Sequence, residues 1–287
     1  MVTTEGLLSL KHHIPAEQIS GEADYHRLWM SQLDESWSAE QTAFAGGFIS
    51  DRLAFLFISA YQAAVRRTFN LNNRTWTVLA ISEDRNPDHP RPGLTESDDR
   101  VNGFKTWVAS SQFAEDIIVS VGTTKLYIAN RKTLGLNLTH KHAPGFLGDM
   151  SQGVAEFKDV AIRDLQALED FDLKLFAKRE PLYLYFAFCG FLHRGRLPGI
   201  TPLLDDLLMI ASGDFTDPAQ KALFAKIDTR VNEIFAGMAP GLFAGDYEKD
   251  KGLMSLYSKV IQKRAGLVCS HVELSCDDLK LRELATK

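Results

Sequence analysis

The stretch Val101–Val119, VNGFKTWVASSQFAEDIIV, decides how the chain is read. Asn102-Gly103 is a turn pair, Lys105-Thr106-Trp107-Val108 has the β-branched and aromatic character of a strand, Ala109-Ser110-Ser111 is a small-residue corner, and Ile117-Ile118-Val119 opens a second strand. Upstream, Asn70-Leu71-Asn72-Asn73 is a break and Trp76–Ser82 (WTVLAIS) reads as another strand. Asn86–Pro92 (NPDHPRP) is then an irregular loop, because its three prolines lack the N–H groups that a ladder needs. With further strands expected over Phe104–Ala109, Ile117–Val121, Lys125–Ala129 and Val154–Phe157, residues 74–165 form a small β domain, a barrel or a sandwich.

Helical periodicity flanks this centre. Ser38-Ala39-Glu40-Gln41 has the form of a capping box, and Phe44, Phe48, Ile49, Leu53, Leu56, Phe57, Tyr61 and Val65 continue one helix to about Phe69. Apolar residues on most of its faces predict burial among several neighbours. Leu28, Trp29 and Leu33 mark a shorter helix before it, so residues 1–73 form an N-terminal helical domain. From Leu173 the helical period returns. Asp217-Pro218 reads as an N-cap with proline at the first helical position, and Leu223, Ile227, Val231, Ile234 and Met238 line one face before Gly237 and Pro240-Gly241 end the segment. A helix over Leu253–Ala265 stops at Gly266, and a short amphipathic tail follows Asp277-Asp278, so residues 166–287 form a C-terminal helical bundle. The fold class is therefore α+β, mainly α, in the order helices, β domain, helices.

At 287 residues the chain can bury a sizeable core, and 45% hydrophobic with 24% charged residues is ordinary for a globular protein. A net charge of −5 argues against DNA or RNA as a partner, since the positive footprint of such proteins is missing. The N-terminus lacks the basic-then-apolar order of a secretory signal, and no run approaches the roughly 18 apolar residues of a membrane helix; a cytoplasmic location is expected. Cys189, Cys269 and Cys276 have no C-x-x-C spacing and are read as reduced thiols.

Three segments in order resemble the acyl-CoA dehydrogenase family. Leu79-Ala80-Ile81-Ser82-Glu83 is similar to the family's A-L-T-E strand end, Val101–Ser110 to its N-G-x-K-x-W-[IV]-[TS] strand, and Gly153–Ile162 (GVAEFKDVAI) to the G-x-x-x-F-x-D-V-x-V strand that hands the chain to the C-terminal bundle. The resemblance covers about residues 40–195. It implies a flavin-dependent oxidoreductase acting on the CH–CH group of an acyl thioester, with FAD as cofactor and an acyl-CoA-type thioester as substrate. Ile81, Ser82, Trp107, Ala109 and Ser110 are the residues it places at the flavin. It also implies assembly as a homodimer or as a hetero-oligomer with a related dehydrogenase.

The chain departs from that pattern at defined points. Glu83 runs into Asp84-Arg85-Asn86-Pro87, so the loop is short and its Gly-Ser-Asp is absent; Ala109 replaces a hydroxyl residue, which leaves Ser110 to supply that contact. The Y-E-G segment bearing the usual catalytic glutamate has no counterpart, and Asp246-Tyr247-Glu248-Lys249-Asp250 echoes it only superficially. Some family members carry the base on the first helix of the bundle, and Arg179-Glu180-Pro181 lies near that point. Glu180 is the candidate base, one position from the family's, a turn of about 100° around the helix. The plainer reading of a glutamate before a proline is a helix start, its carboxylate serving the dipole. These departures keep a second reading open, a non-catalytic family member acting as a binding or structural subunit.

No other constellation completes a site. His140-x-His142 puts two rings on one strand face with no third ligand, and His12-His13 is read as solvated. The acidic run Asp246–Asp250 resembles a calcium loop, but Gly252 falls one position late and Tyr257 stands where the bidentate glutamate belongs. There is no G-x-S-x-G, P-loop or G-x-G-x-x-G sequence, and no metal is expected.

Overall fold

A computed structural model describes residues 2–10, 19–71, 75–84, 86, 88, 90–122, 125–141, 145–169, 171–245 and 247–266. The chain divides into two compact units. A helical unit is assembled from Met1–Ala64, Pro144–Asp149 and Leu173–Lys287, and a β unit from Val65–Ala143 and Met150–Asp172. His12, His13, His142, Asp246, Cys269, Cys276 and the tail after Asp277 lie outside the described residues.

In the helical unit α1 (Thr4–Leu8) and α2 (Glu22–Gln32) precede α3 (Ala39–Ile49) and α4 (Leu53–Phe69). The expected capping box is present: the Ser38 hydroxyl accepts from the Gln41 N–H at 3.3 Å, and the Gln41 side chain accepts from the Ser38 N–H at 2.9 Å. Ser38→Ala is expected to lower stability by about 1 kcal/mol, read as a shift in the urea midpoint without a change of slope.

The single helix expected through Phe69 is broken at Ser50-Asp51-Arg52. The Ser50 hydroxyl donates back to Gly46 O at 2.8 Å, and Ser50 itself turns extended. The Arg52 guanidinium then spans Asp51, Asp149 and the Ile19 carbonyl, fixing the break with charge-assisted bonds. Apolar residues on both sides hide this corner from a periodicity reading.

The bundle continues with α5 (Leu173–Arg194), α6 (Ile200–Ser212), α7 (Pro218–Ala236), α8 (Tyr247–Asp250) and α9 (Gly252–Arg264). Helix α5 packs on α3. Their backbones approach so closely that a Cβ on Gly47 would lie 1.9 Å from Ala187 O. Pro181 does not open α5, as a glutamate-proline pair suggests; it lies inside, two turns from the start. A proline there leaves the carbonyl four residues earlier without its helical donor. That carbonyl, Ala177 O, accepts instead from Arg264 of α9 at 3.2 Å.

Among the described residues the β unit holds two four-stranded sheets, neither closed into a barrel. One has the order β1-β4-β5-β8, with β1 (Thr77–Ala80) parallel to β4 (Asp116–Val121), then β5 (Lys125–Asn130) and β8 (Gln166–Leu168). The other is antiparallel, β2-β3-β7-β6, built from β2 (Thr95–Ser97), β3 (Arg100–Ala109), β6 (Leu136–Lys141) and β7 (Gln152–Ala161). His140 sits on β6.

The turn before β3 is four residues earlier than Asn102-Gly103 suggests. Asp98 and Asp99 both take positive φ, 50° and 58°, the two-residue geometry whose twist matches a hairpin. Asn102-Gly103 instead forms a bulge within β3. Gly103 has φ +122°, and a Cβ there would lie 2.2 Å from Gly93 O, so glycine is required by the pairing rather than by a turn.

Candidate flavin-facing strand ends

Ile81 and Ser82 continue beyond β1 to the middle of β3. The Thr106 N–H donates to Ser82 O at 2.9 Å, which ties the end of the first strand to the Lys-Thr-Trp segment. Ile81, Ser82, Thr106 and Trp107 are all half-buried. The Trp107 indole N–H donates to Gln152 Oε1 at 3.0 Å, fixing its ring against β7. The Ser82 hydroxyl makes no hydrogen bond with the described residues.

Ala109 and Ser110 are placed differently. Both are buried, and the Ser110 hydroxyl accepts from the buried Trp76 indole at 3.0 Å. Ser110 turns the chain with φ +49°, and its carbonyl accepts from Phe113 and Ala114. The expected small-residue corner is thus real, with its hydroxyl held in the core beneath the strand end.

Lys105 lies between these groups and is fully buried, 0% exposed. Its ammonium donates to Glu83 Oε1 at 2.8 Å, and the Glu83 side chain is 50% exposed. Burial pushes the Lys105 ammonium below its ordinary value, and Glu83 opposes that shift. A buried cation at strand position 105 is not evident from the sequence, where Lys105 alternates with Phe104 and Thr106 as a polar strand residue would.

Glu180 belongs to the helical unit. It is 3% exposed, on α5, and faces the hydroxyl of Tyr257 on α9. Burial first, then the nearby Glu180 charge, hold that hydroxyl well above its ordinary range. A second buried carboxylate lies in the same bundle. Asp228 on α7, 0% exposed, accepts from Tyr185, Ser258, Gln262 and Asn232. Sequence reasoning passed over Asp228, although Phe224, Val231 and Phe235 put it on an apolar row four and three residues apart. Among the described residues, no group of three or more His, Cys, Asp or Glu could hold a metal ion, and no helix is long and apolar enough to cross a membrane.

Helices, a two-sheet β unit and a helical bundle, in this order and with the sequence motifs at the strand ends, make this the acyl-CoA dehydrogenase fold in a divergent chain. Among solved structures the chain is similar to FkbI, of the biosynthesis of a methoxymalonyl extender unit for a polyketide immunosuppressant, at 13% identity, TM-score 0.52, 92% of this chain and 89% of that one. An acyl-CoA dehydrogenase from Geobacillus kaustophilus matches at 11% identity, TM-score 0.49, 84% of this chain and 89% of that one. Butyryl-CoA dehydrogenase from Megasphaera elsdenii matches at 12% identity, TM-score 0.46, with 79% of each chain covered. No family model matches the sequence, and neither does any curated protein.

Proposed function

We propose that the chain is a flavin-dependent oxidoreductase of the acyl-CoA dehydrogenase type, acting on the CH–CH group of an acyl thioester. The observation that carries this reading is the Thr106–Ser82 hydrogen bond. It joins the two segments that the family resemblance places against a flavin ring, with Ile81, the Ser82 hydroxyl and the Trp107 ring at the surface of the β unit. These residues fit the ring of FAD: a half-buried indole offers a flat apolar face, and an uncommitted hydroxyl offers a hydrogen bond. Ala109 and Ser110 support the strand from beneath.

FAD supplies the hydride acceptor in such chemistry. The chain must then hold the acyl group, exclude water and take the proton alpha to the thioester carbonyl. Glu180 is the candidate for that proton. Burial against Tyr257 is an environment in which a carboxylate can be tuned as a base once substrate reaches it.

The same burial favours the second reading, a non-catalytic subunit, because a carboxylate 3% exposed and facing a tyrosine is also what a bundle core needs. Absorbance after incubation with FAD and gel filtration separates the possibilities. Retained flavin that bleaches anaerobically with an acyl-CoA, and fails to bleach in Glu180→Gln, supports the enzyme. Retained flavin without bleaching by any acyl-CoA supports the binding subunit, and a protein that stays colourless overturns the oxidoreductase and leaves the structural subunit. Where flavin is retained, Trp107→Ala is expected to weaken its binding about two- to tenfold, from the ~0.5–1.5 kcal/mol of an aromatic contact. Sedimentation tests assembly, as a homodimer or with a related dehydrogenase.

A further inference from the structure

At one end of the helical bundle a cavity of about 210 Å³ opens between α5, α6, α7 and α9. Its interior is apolar, formed by Ile210, Phe215, Phe224 and Ile261, and its rim carries Lys178, Lys221 and Arg264. Among the described lining residues there is no carboxylate. Asp214, outside the lining, feels Lys178 and Lys221, and its single charge offsets only part of the three cations at the rim. The rim therefore keeps an excess of positive charge.

Arg264 is held in place by its bond to Ala177 O, the carbonyl that Pro181 strands, so the interior proline also fixes one wall of the cavity. Gln220, which lines the cavity too, has a buried side-chain oxygen with no hydrogen-bond partner among the described residues.

We infer that this cavity binds a small amphipathic anion, a straight-chain alkyl carboxylate with its tail among Ile210, Phe215, Phe224 and Ile261 and its head group at Lys178 and Lys221. Size supports a tail of moderate length: a dry apolar cavity of ~150 Å³ accepts benzene, so one somewhat larger takes roughly six to ten carbons. Charge supports the head, because a carboxylate at such a rim gains from ammonium groups that stay partly hydrated. The inference goes beyond the proposed oxidoreductase and requires neither flavin nor turnover.

Isothermal titration of the full chain with alkanoates of increasing length, and with the matching 1-alkanols, tests it. Affinity is expected to rise about fourfold per methylene, the equivalent of ~0.8 kcal/mol per buried CH₂, and to level off once the tail fills the space. Alkanoates bind more tightly than alkanols of equal length. That preference disappears in the surface double variant Lys178→Gln/Lys221→Gln, while Phe224→Trp, which fills the interior, removes the dependence on length. Absence of saturable binding, equal affinity for both head groups, or a carboxylate preference that survives the double variant would overturn the inference.

Discussion

Asp228→Ala lowers the stability of the helical unit by about 3–5 kcal/mol, the loss expected when several donors lose one shared acceptor at about 1–3 kcal/mol each. Four donors, from Tyr185, Asn232, Ser258 and Gln262, meet that one carboxylate in a position with no solvent exposure. Asn232 and Gln262 keep the carbonyls of Asp228 and Ala225, but Tyr185 and Ser258 lose the carboxylate and keep their desolvation cost, so the loss exceeds that of a single hydrogen bond. Tyr185→Phe removes only one of the four and is expected to cost about 1–2 kcal/mol. Urea unfolding followed by circular dichroism measures both. Equal losses in the two variants would mean that the cluster is not a single network.

The pair Lys105–Glu83 gives the second large effect, in the β unit. Glu83→Ala leaves a buried ammonium without its carboxylate and is expected to cost about 2–3 kcal/mol, less than a fully buried pair because the Glu83 side chain is half exposed. Lys105→Met behaves differently. It removes the charge and keeps the volume, so stability stays near the wild type or rises.

The pH dependence of Glu83→Ala distinguishes this account from loss of packing. Burial lowers the folded-state value of Lys105, and in Glu83→Ala the carboxylate that opposes this shift is gone. Between that lowered value and the unfolded value near ~10.4, the unfolded chain binds more protons, so stability of Glu83→Ala climbs as pH rises through this window. A flat profile would assign the loss to packing instead.

How much of this could be read in the residues depended on whether a feature is local. The Lys-Thr-Trp strand, the Ser corner, the capping box at Ser38 and the proline at the start of α7 are each set by neighbours in sequence, and the structure has them where the residues place them. Other features are set by partners far along the chain. Pro181 looks like a helix start because proline usually is one; it stands inside α5 because Arg264, more than 80 residues away, donates to the stranded carbonyl. The break at Ser50–Arg52 depends likewise on Asp149.

The candidate site divides in the same way. The strand ends at Ser82 and Trp107 are legible as local motifs, whereas the hydrogen bond between their segments is not, because β1 and β3 belong to different sheets. The burial of Lys105, the placing of the Ser110 hydroxyl under Trp76 and the contact of Glu180 with Tyr257 are tertiary, and no pattern of period two or 3.6 encodes them.

The interrupted path of the helical unit has a consequence during synthesis. Helix α3 leaves the ribosome early, yet the helix that covers its close-packed glycine face begins only at Leu173, 124 residues after Ile49. At ~5–20 residues per second that is a wait of roughly 6–25 s. The β unit is completed within the interval, whereas α3 and the apolar first half of α4, which pack against α2, lack the cover of α5. Nascent chains stalled shortly before Leu173 should therefore engage chaperones through their first helices, and release them once α5 has emerged.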